Sequence, residues 1–283
     1  MNIKSQKIGS LDTLKIENHF CEAVISFQGA QVLSYKLKTK NGLSEKLWLS
    51  DLNKYQSNKA IRGGIPLCFP WFGKSHISDS HPSHGFARNI LWEFKEVIES
   101  EDGHDLSFEL VDNEETIEIW PFEFSLIQTI HCGQSLSVEF ELENRSDKSF
   151  DYAFAWHSYF AVEDIFSTKV EGLQDAEYID QLNQNKCEIQ QVEDIIVDGE
   201  IDRIYPKTQG NFVIRSELSE FTYVQTNTNS AVVWNPWIEK SRRLADMRDD
   251  AWKEFICVET GNVLPINSLA PNQKDKFNLT IYV

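Results

Sequence analysis

The chain has 283 residues, 41% of them hydrophobic, and 44 acidic against 27 basic side chains leave a formal charge of −17. That size supports a substantial core, no run of 18 apolar residues offers a transmembrane helix, and the acidic balance argues against nucleic acid or an anionic membrane as partner. At physiological salt the Debye length is about 8 Å, so the same charge still permits a small anion held by local cations.

The N-terminal MNIKSQKIGSLDTL lacks the apolar stretch of a signal peptide. The five cysteines, Cys21, Cys68, Cys132, Cys187 and Cys257, are scattered and form no C-x-x-C. The expectation is a reduced, cytoplasmic protein. Alternating residues then predict strands at 13–17, 23–27 and 31–38, followed by a short helix at 47–55.

The segment 62–73, RGGIPLCFPWFG, and the segment 84–88, HGFAR, break this rhythm. They set Arg62, Arg88 and His84 among glycine, proline and aromatics. Glycine lets backbone approach a ligand closely, and the guanidinium fork suits phosphate oxygens. Trp71 offers a flat apolar face of the kind that packs on sugar rings. The plainer reading of both arginines is an ordinary surface ion pair. Between the two segments, 74–83 is polar and reads as an exposed loop that rims a pocket and could serve as a lid. Its His76, His81 and neighbouring His84 tempt a metal reading, but zinc sites need ligands held on ordered elements, so no metal is expected.

Strands follow at 106–110, 122–126 and 136–143, the last reading LSVEFELE with apolar residues at every second place. Turns at 101–104, 132–134 and 144–148 separate them. The apolar strand 153–157 ends on His157, followed by Ser158, Tyr159 and Phe160. A half-buried imidazole suits general acid work; the alternative is a core histidine with satisfied bonds. The segment 200–205, EIDRIY, carries Asp202, and 231–237 carries Trp234 in VVWNPW. Further strands are predicted at 211–215, 221–225 and 231–234, with a charged surface helix at 241–253. The strand 255–258 is wholly apolar and leads into Glu259. A carboxylate there is costly to bury unless paired, and desolvation would raise its pKa toward the range of a general base. Gly261 suggests a turn that presents it; otherwise Glu259 is a surface residue at a strand end. The strand 277–283 closes the chain.

Many short antiparallel strands with few helices predict an all-β sandwich, and no linker or composition break divides residues 1–283. No serine-elbow, phosphate-loop, dinucleotide or zinc-protease motif occurs. Cys68 and Cys257 lie in apolar runs and read as core.

Taken in order, RGGIPLCFPWFG, HGFAR, WHSYF, EIDRIY, VVWNPW and CVETGNV resemble the hexose-6-phosphate mutarotases, the glucose-6-phosphate 1-epimerase branch of the aldose 1-epimerase family. The resemblance implies a galactose-mutarotase-like supersandwich that interconverts the anomers of a hexose 6-phosphate without cofactor or metal. It implies His157 as catalytic acid and Glu259 as catalytic base. It further implies Arg62 and Arg88 at the phosphate or the sugar, and His84 and Asp202 at the ring oxygen and hydroxyls. Trp71, Trp234 and Trp237 would wall the sugar. The implied partner is a small sugar phosphate, and the chain is expected to act as a monomer. One departure is His81-Pro82-Ser83, where many relatives have a glutamine before HGFAR; this bears on sugar preference. Two other readings stand beside this one. They are the same chemistry on unphosphorylated aldoses, and a non-catalytic sugar-binding module on the same kind of fold.

Overall fold

The computed structural model describes residues 2–192, 194–216 and 222–283. Its strands form three antiparallel sheets of five, nine and eight strands. The first is a meander of Asn2–Ile8, Leu11–Glu17, Cys21–Ser26, Val32–Thr39 and Gly42–Glu45. The nine-stranded sheet has Lys274–Tyr282, Leu136–Asn144 and Phe124–Gly133 near its middle. The eight-stranded sheet is built around Ser230–Asn235, Phe255–Leu269 and Phe150–Trp156. No helix among the described residues is long and apolar enough to cross a membrane.

Side-chain alternation places the two large sheets face to face. In Leu136–Asn144 the residues Leu136, Val138, Phe140 and Leu142 are buried in turn. Phe140 stacks on Phe154 of the other sheet, ring centroids 4.3 Å apart. Phe154, Trp156, Val233 and Val258 therefore belong to the main core. The opposite face of the same sheet carries a different row. Val232 pairs with both Ile204 and Glu259, while Trp234 pairs with both Asp202 and Cys257. Both faces of Phe255–Leu269 are covered over its first nine residues, which is why the run 255–258 shows no alternation.

Several expectations need correction. Residues 47–55 are not helical: Leu47 and Leu49 form isolated bridges to Phe160 and Gly63. Asn53 ties the backbone down by donating to the carbonyls of Ser50 and Arg62, a side-chain alternative to helix. The helix expected at 241–253 is displaced to Trp237–Ser241, and only a single 3-10 turn, Ala251–Lys253, lies near its other end. Its residues answer to tertiary partners instead. Met247 is buried beside Trp48 and Trp234, and Arg248 pairs with Asp51, Asp250 and Glu254. A short helix, Glu114–Ile119, was not anticipated, although Asn113 and Thr116 form a capping box in the sequence itself. Strands such as Asn2–Ile8 and Glu93–Ser100 also escaped notice, because they are edge strands largely exposed on both faces. Phe221, first residue of the strand expected at 221–225, lies outside the described residues; the strand observed there is Thr222–Thr226.

Candidate active site

On the outward face of the eight-stranded sheet lies a 220 Å³ cavity. Glu259 and His157 reach it from adjoining strands, and Asp202 and Trp234 from the next two. His157 follows the strand Phe150–Trp156 directly. Its backbone N–H donates to the carbonyl of Pro66 at 2.9 Å, which ties it to the RGGIPLCFP segment. Its ring stacks on Tyr159, centroids 4.7 Å apart and planes 7° apart. Glu259 sits mid-strand rather than at a turn. Gly261 serves another purpose: a Cβ there would lie 2.1 Å from the carbonyl oxygen of Phe154, so glycine allows the two strands to close together.

His157 Nε2 and Glu259 Oε1 are 3.3 Å apart. Both side chains are nearly inaccessible, at 7% and 2% exposure. His157 Nδ1 and Glu259 Oε2 are buried without a hydrogen-bond partner. Burial pushes the imidazole well below its ordinary pKa, with the neighbouring His84, Arg88 and Arg62 adding to the effect. Burial pushes the carboxyl well above its ordinary pKa, helped by Asp202 and opposed by Arg88. Burial thus disfavours charge on either member.

His84 is the third ionisable group at this point, its ring 5.7 Å from that of His157. Its Nδ1 accepts the backbone N–H of Gly73 at 3.3 Å, so the proton of the neutral ring resides on Nε2. Burial, and then Arg88 and Arg62, lower its pKa to about 3. The backbone of His84 has φ 64°, and Gly85 follows at 72°. A Cβ on Gly85 would fall 1.9 Å from the carbonyl oxygen of Phe69. Here the glycine lets HGFAR approach the protein's own backbone, where a close approach to ligand was expected.

Arg62 lines the cavity. Its Nε donates to Asp246 at 2.9 Å and one terminal nitrogen to the Tyr159 hydroxyl at 3.3 Å. Burial works against its charge, but Tyr159 and Asp246 outweigh burial and hold it above its ordinary range. Asp202 accepts from Gln181 at 2.6 Å and from Lys240 at 3.4 Å. Its pKa is raised by burial, against the pull of Lys240.

The other candidates are placed differently. Arg88 is not among the residues lining this cavity. It donates to the carbonyl of Ser83 at 2.9 Å, its Nε is buried without a partner, and its charge acts on His84, His157 and Glu259 from close by. Trp71 borders an adjoining outer cavity, where its indole N–H donates to the carbonyl of Pro82. Trp237 is turned to Trp252, 4.2 Å away between centroids, and walls neither cavity. Lys240 and Gln181 do line the inner cavity and were not anticipated. Lys240 lies close after the WNPW motif and sits 5.7 Å from the Trp234 ring; Gln181 carries no sequence signal. Among the described residues no three His, Cys, Asp or Glu side chains converge as a metal site. His81, from the tempting trio, stacks on Trp71 instead.

The aldose 1-epimerase family model matches residues 12–282. An Escherichia coli K12 protein with the provisional name glucose-6-phosphate 1-epimerase is 36% identical over 91% of this chain and 85% of its own length. A Salmonella typhimurium protein with the same provisional name is 34% identical over 96% and 88%. The crystal structure of a provisionally identified mutarotase, YeaD from Salmonella typhimurium, superimposes with a TM-score of 0.92. It is 32% identical and covers 99% of this chain and 92% of that one. By sequence and by its antiparallel sheets, the chain belongs to the aldose 1-epimerase family.

Proposed function

We propose that the protein is a hexose-6-phosphate mutarotase, with Glu259 as base and His157 as acid. The observation that carries this reading is the buried pair itself, 3.3 Å apart and facing a cavity lined by Arg62. Opening a pyranose requires a proton to leave the C1 hydroxyl and another to reach the ring oxygen. Glu259 carboxylate takes the first as the C1–O bond breaks, and the His157 imidazolium gives the second. The open-chain aldehyde then faces neutral Glu259 and neutral His157. After rotation about C1–C2 the two transfers reverse, and the ring closes on the other face.

The charged pair and the neutral pair contain the same number of protons. One transfer between Glu259 and His157 interconverts them, and burial favours the neutral form. The reactive charged pair is therefore reached from the resting neutral pair by one internal proton transfer, and ring opening returns the pair to the neutral form. His84 stays neutral and serves as a fixed N–H donor near the ring oxygen. Asp202 receives hydroxyl protons, and Trp234 supplies an apolar wall. Arg62, oriented by Asp246, meets the phosphate, with Arg88 adding positive potential nearby.

Polarimetry or NMR of freshly dissolved α-glucose 6-phosphate tests the reading. Anomerisation in the presence of the protein at the spontaneous rate, across several hexose phosphates, would overturn it. A second reading, the same chemistry on free aldoses, draws on the position of Arg88 off the cavity wall. Arg62→Ala separates the two: a loss confined to phosphorylated sugars favours the first, and equal losses favour the second.

A further inference from the structure

An imidazole that moves protons is ordinarily fixed through its second nitrogen, by a hydrogen bond to a carbonyl or a carboxylate. His157 is held differently. Among the described residues no protein group hydrogen-bonds its buried Nδ1, so packing must set the plane of the ring. Three other rings surround it. Those of Trp234 and His84 meet it steeply, at 82° and 69°, each with centroids 5.7 Å away. Of the three, Tyr159 alone covers a face, 4.7 Å away and 7° from parallel.

Tyr159 is itself immobilised. Its side chain is buried, and Trp48 and Phe255 pack against it with ring centroids 5.8 and 5.3 Å away. Its backbone N–H donates to the Gly64 carbonyl and its own carbonyl accepts from the Trp48 N–H, both at 2.9 Å. Its hydroxyl accepts from Arg62 at 3.3 Å. One side chain thus touches both the arginine that faces the cavity and the imidazole that faces Glu259, without lining the cavity itself. An imidazolium formed on His157 would lie over the electron-rich face of the phenol ring. Such a contact favours the charged form, most strongly where water is excluded.

We propose that Tyr159 is a positioning residue with two separable tasks: its ring holds the His157 imidazole for proton delivery, and its hydroxyl holds Arg62 for the anionic end of the substrate. This deepens the hexose-phosphate reading and rests on it. The two tasks reside in different atoms, so they can be removed one at a time.

The test measures kcat and KM for anomerisation of freshly dissolved α-glucose 6-phosphate by the natural protein, Tyr159→Phe and Tyr159→Leu, with melting curves alongside. Phenylalanine keeps the ring face and removes the hydroxyl. KM should rise about threefold, the modest effect of one lost hydrogen bond, with kcat kept within about twofold. Leucine removes both parts. Its KM should rise as in Tyr159→Phe, and its kcat should fall about 30-fold, the size of a desolvated cation–π contact. A side chain that only fills space would not divide its effects in this way, and the phenylalanine variant would not rescue kcat selectively. In Tyr159→Phe, an unchanged KM or a kcat reduced by more than about twofold overturns the proposal. That variant decides by itself if Tyr159→Leu does not fold. A folded Tyr159→Leu with natural kcat also overturns it. Either result leaves the mutarotase reading standing, because the natural protein still accelerates the sugar phosphate. Anomerisation at the spontaneous rate by the natural protein overturns the hexose-phosphate reading and this proposal together.

Discussion

Glu259→Gln isolates proton transfer from packing. The two side chains have nearly the same shape, and Glu259 is 2% exposed on a strand covered on both faces. The substitution leaves the cavity walls in place and removes the only carboxyl group within 3.3 Å of His157 Nε2 among the contacts described. A positioned acid or base contributes about 10²–10⁴-fold. The predicted loss in kcat for glucose 6-phosphate is of that size, or about 2.7–5.4 kcal/mol of barrier at 1.36 kcal/mol per decade. KM should change little, since Arg62 and Asp202 are untouched. Stability supplies a second reading of the same variant. The folded state raises the carboxyl well above its ordinary 4.5. Above that pH the unfolded chain gives up a proton that the folded chain retains, so stability falls as pH rises. Glutamine has no such proton. The variant should therefore melt at or above the natural protein near pH 8, with the gap closing toward pH 4. Anomerisation rates by NMR and melting curves at several pH values check both parts. Retention of more than a tenth of the activity, or a melting temperature that drops at every pH, would refute the reasoning.

Three further outcomes are predicted. Asp246→Ala removes the 2.9 Å bond that orients Arg62; because the pair is partly exposed, KM for glucose 6-phosphate should rise about tenfold with a smaller effect on kcat, in line with a weakened charged hydrogen bond, and steady-state kinetics check it. His84 is lowered to about 3 in the folded state against 6.5 ordinarily, so its contribution to stability is present above pH 6.5 and is lost as pH falls toward 3. His84→Asn, a residue that tolerates the positive φ here, should flatten the acid limb of a stability–pH profile by up to about 1.4 kcal/mol per pH unit. Gly261→Ala drives a Cβ to within 2.1 Å of the Phe154 carbonyl oxygen, and denaturant unfolding should show a loss of about 1–3 kcal/mol, the usual cost of overpacking.

Period two in residues 136–143 was enough to announce the sandwich, because one face of Leu136–Asn144 is buried and the other is wet. It missed Asn2–Ile8, where only Ile3 and Ile8 are partly buried against a core, and helical spacing misled at 241–253, where Met247 and Arg248 answer to partners far away in the chain. The chemical groups were legible for a related reason. His157 and Glu259 are ionisable residues set in apolar runs, and burial there needs a function or a partner. Their separation of 3.3 Å was not legible, since it depends on how Phe150–Trp156 and Phe255–Leu269 pair. The same holds for Asp246, which reaches Arg62 across 184 positions, and for Gln181 and Lys240, polar residues in polar surroundings. Local sequence determined which side chains were chemically unusual and which faces had to be covered. Only the tertiary structure decided which of them share one cavity, because desolvation and charge proximity are properties of the assembled walls.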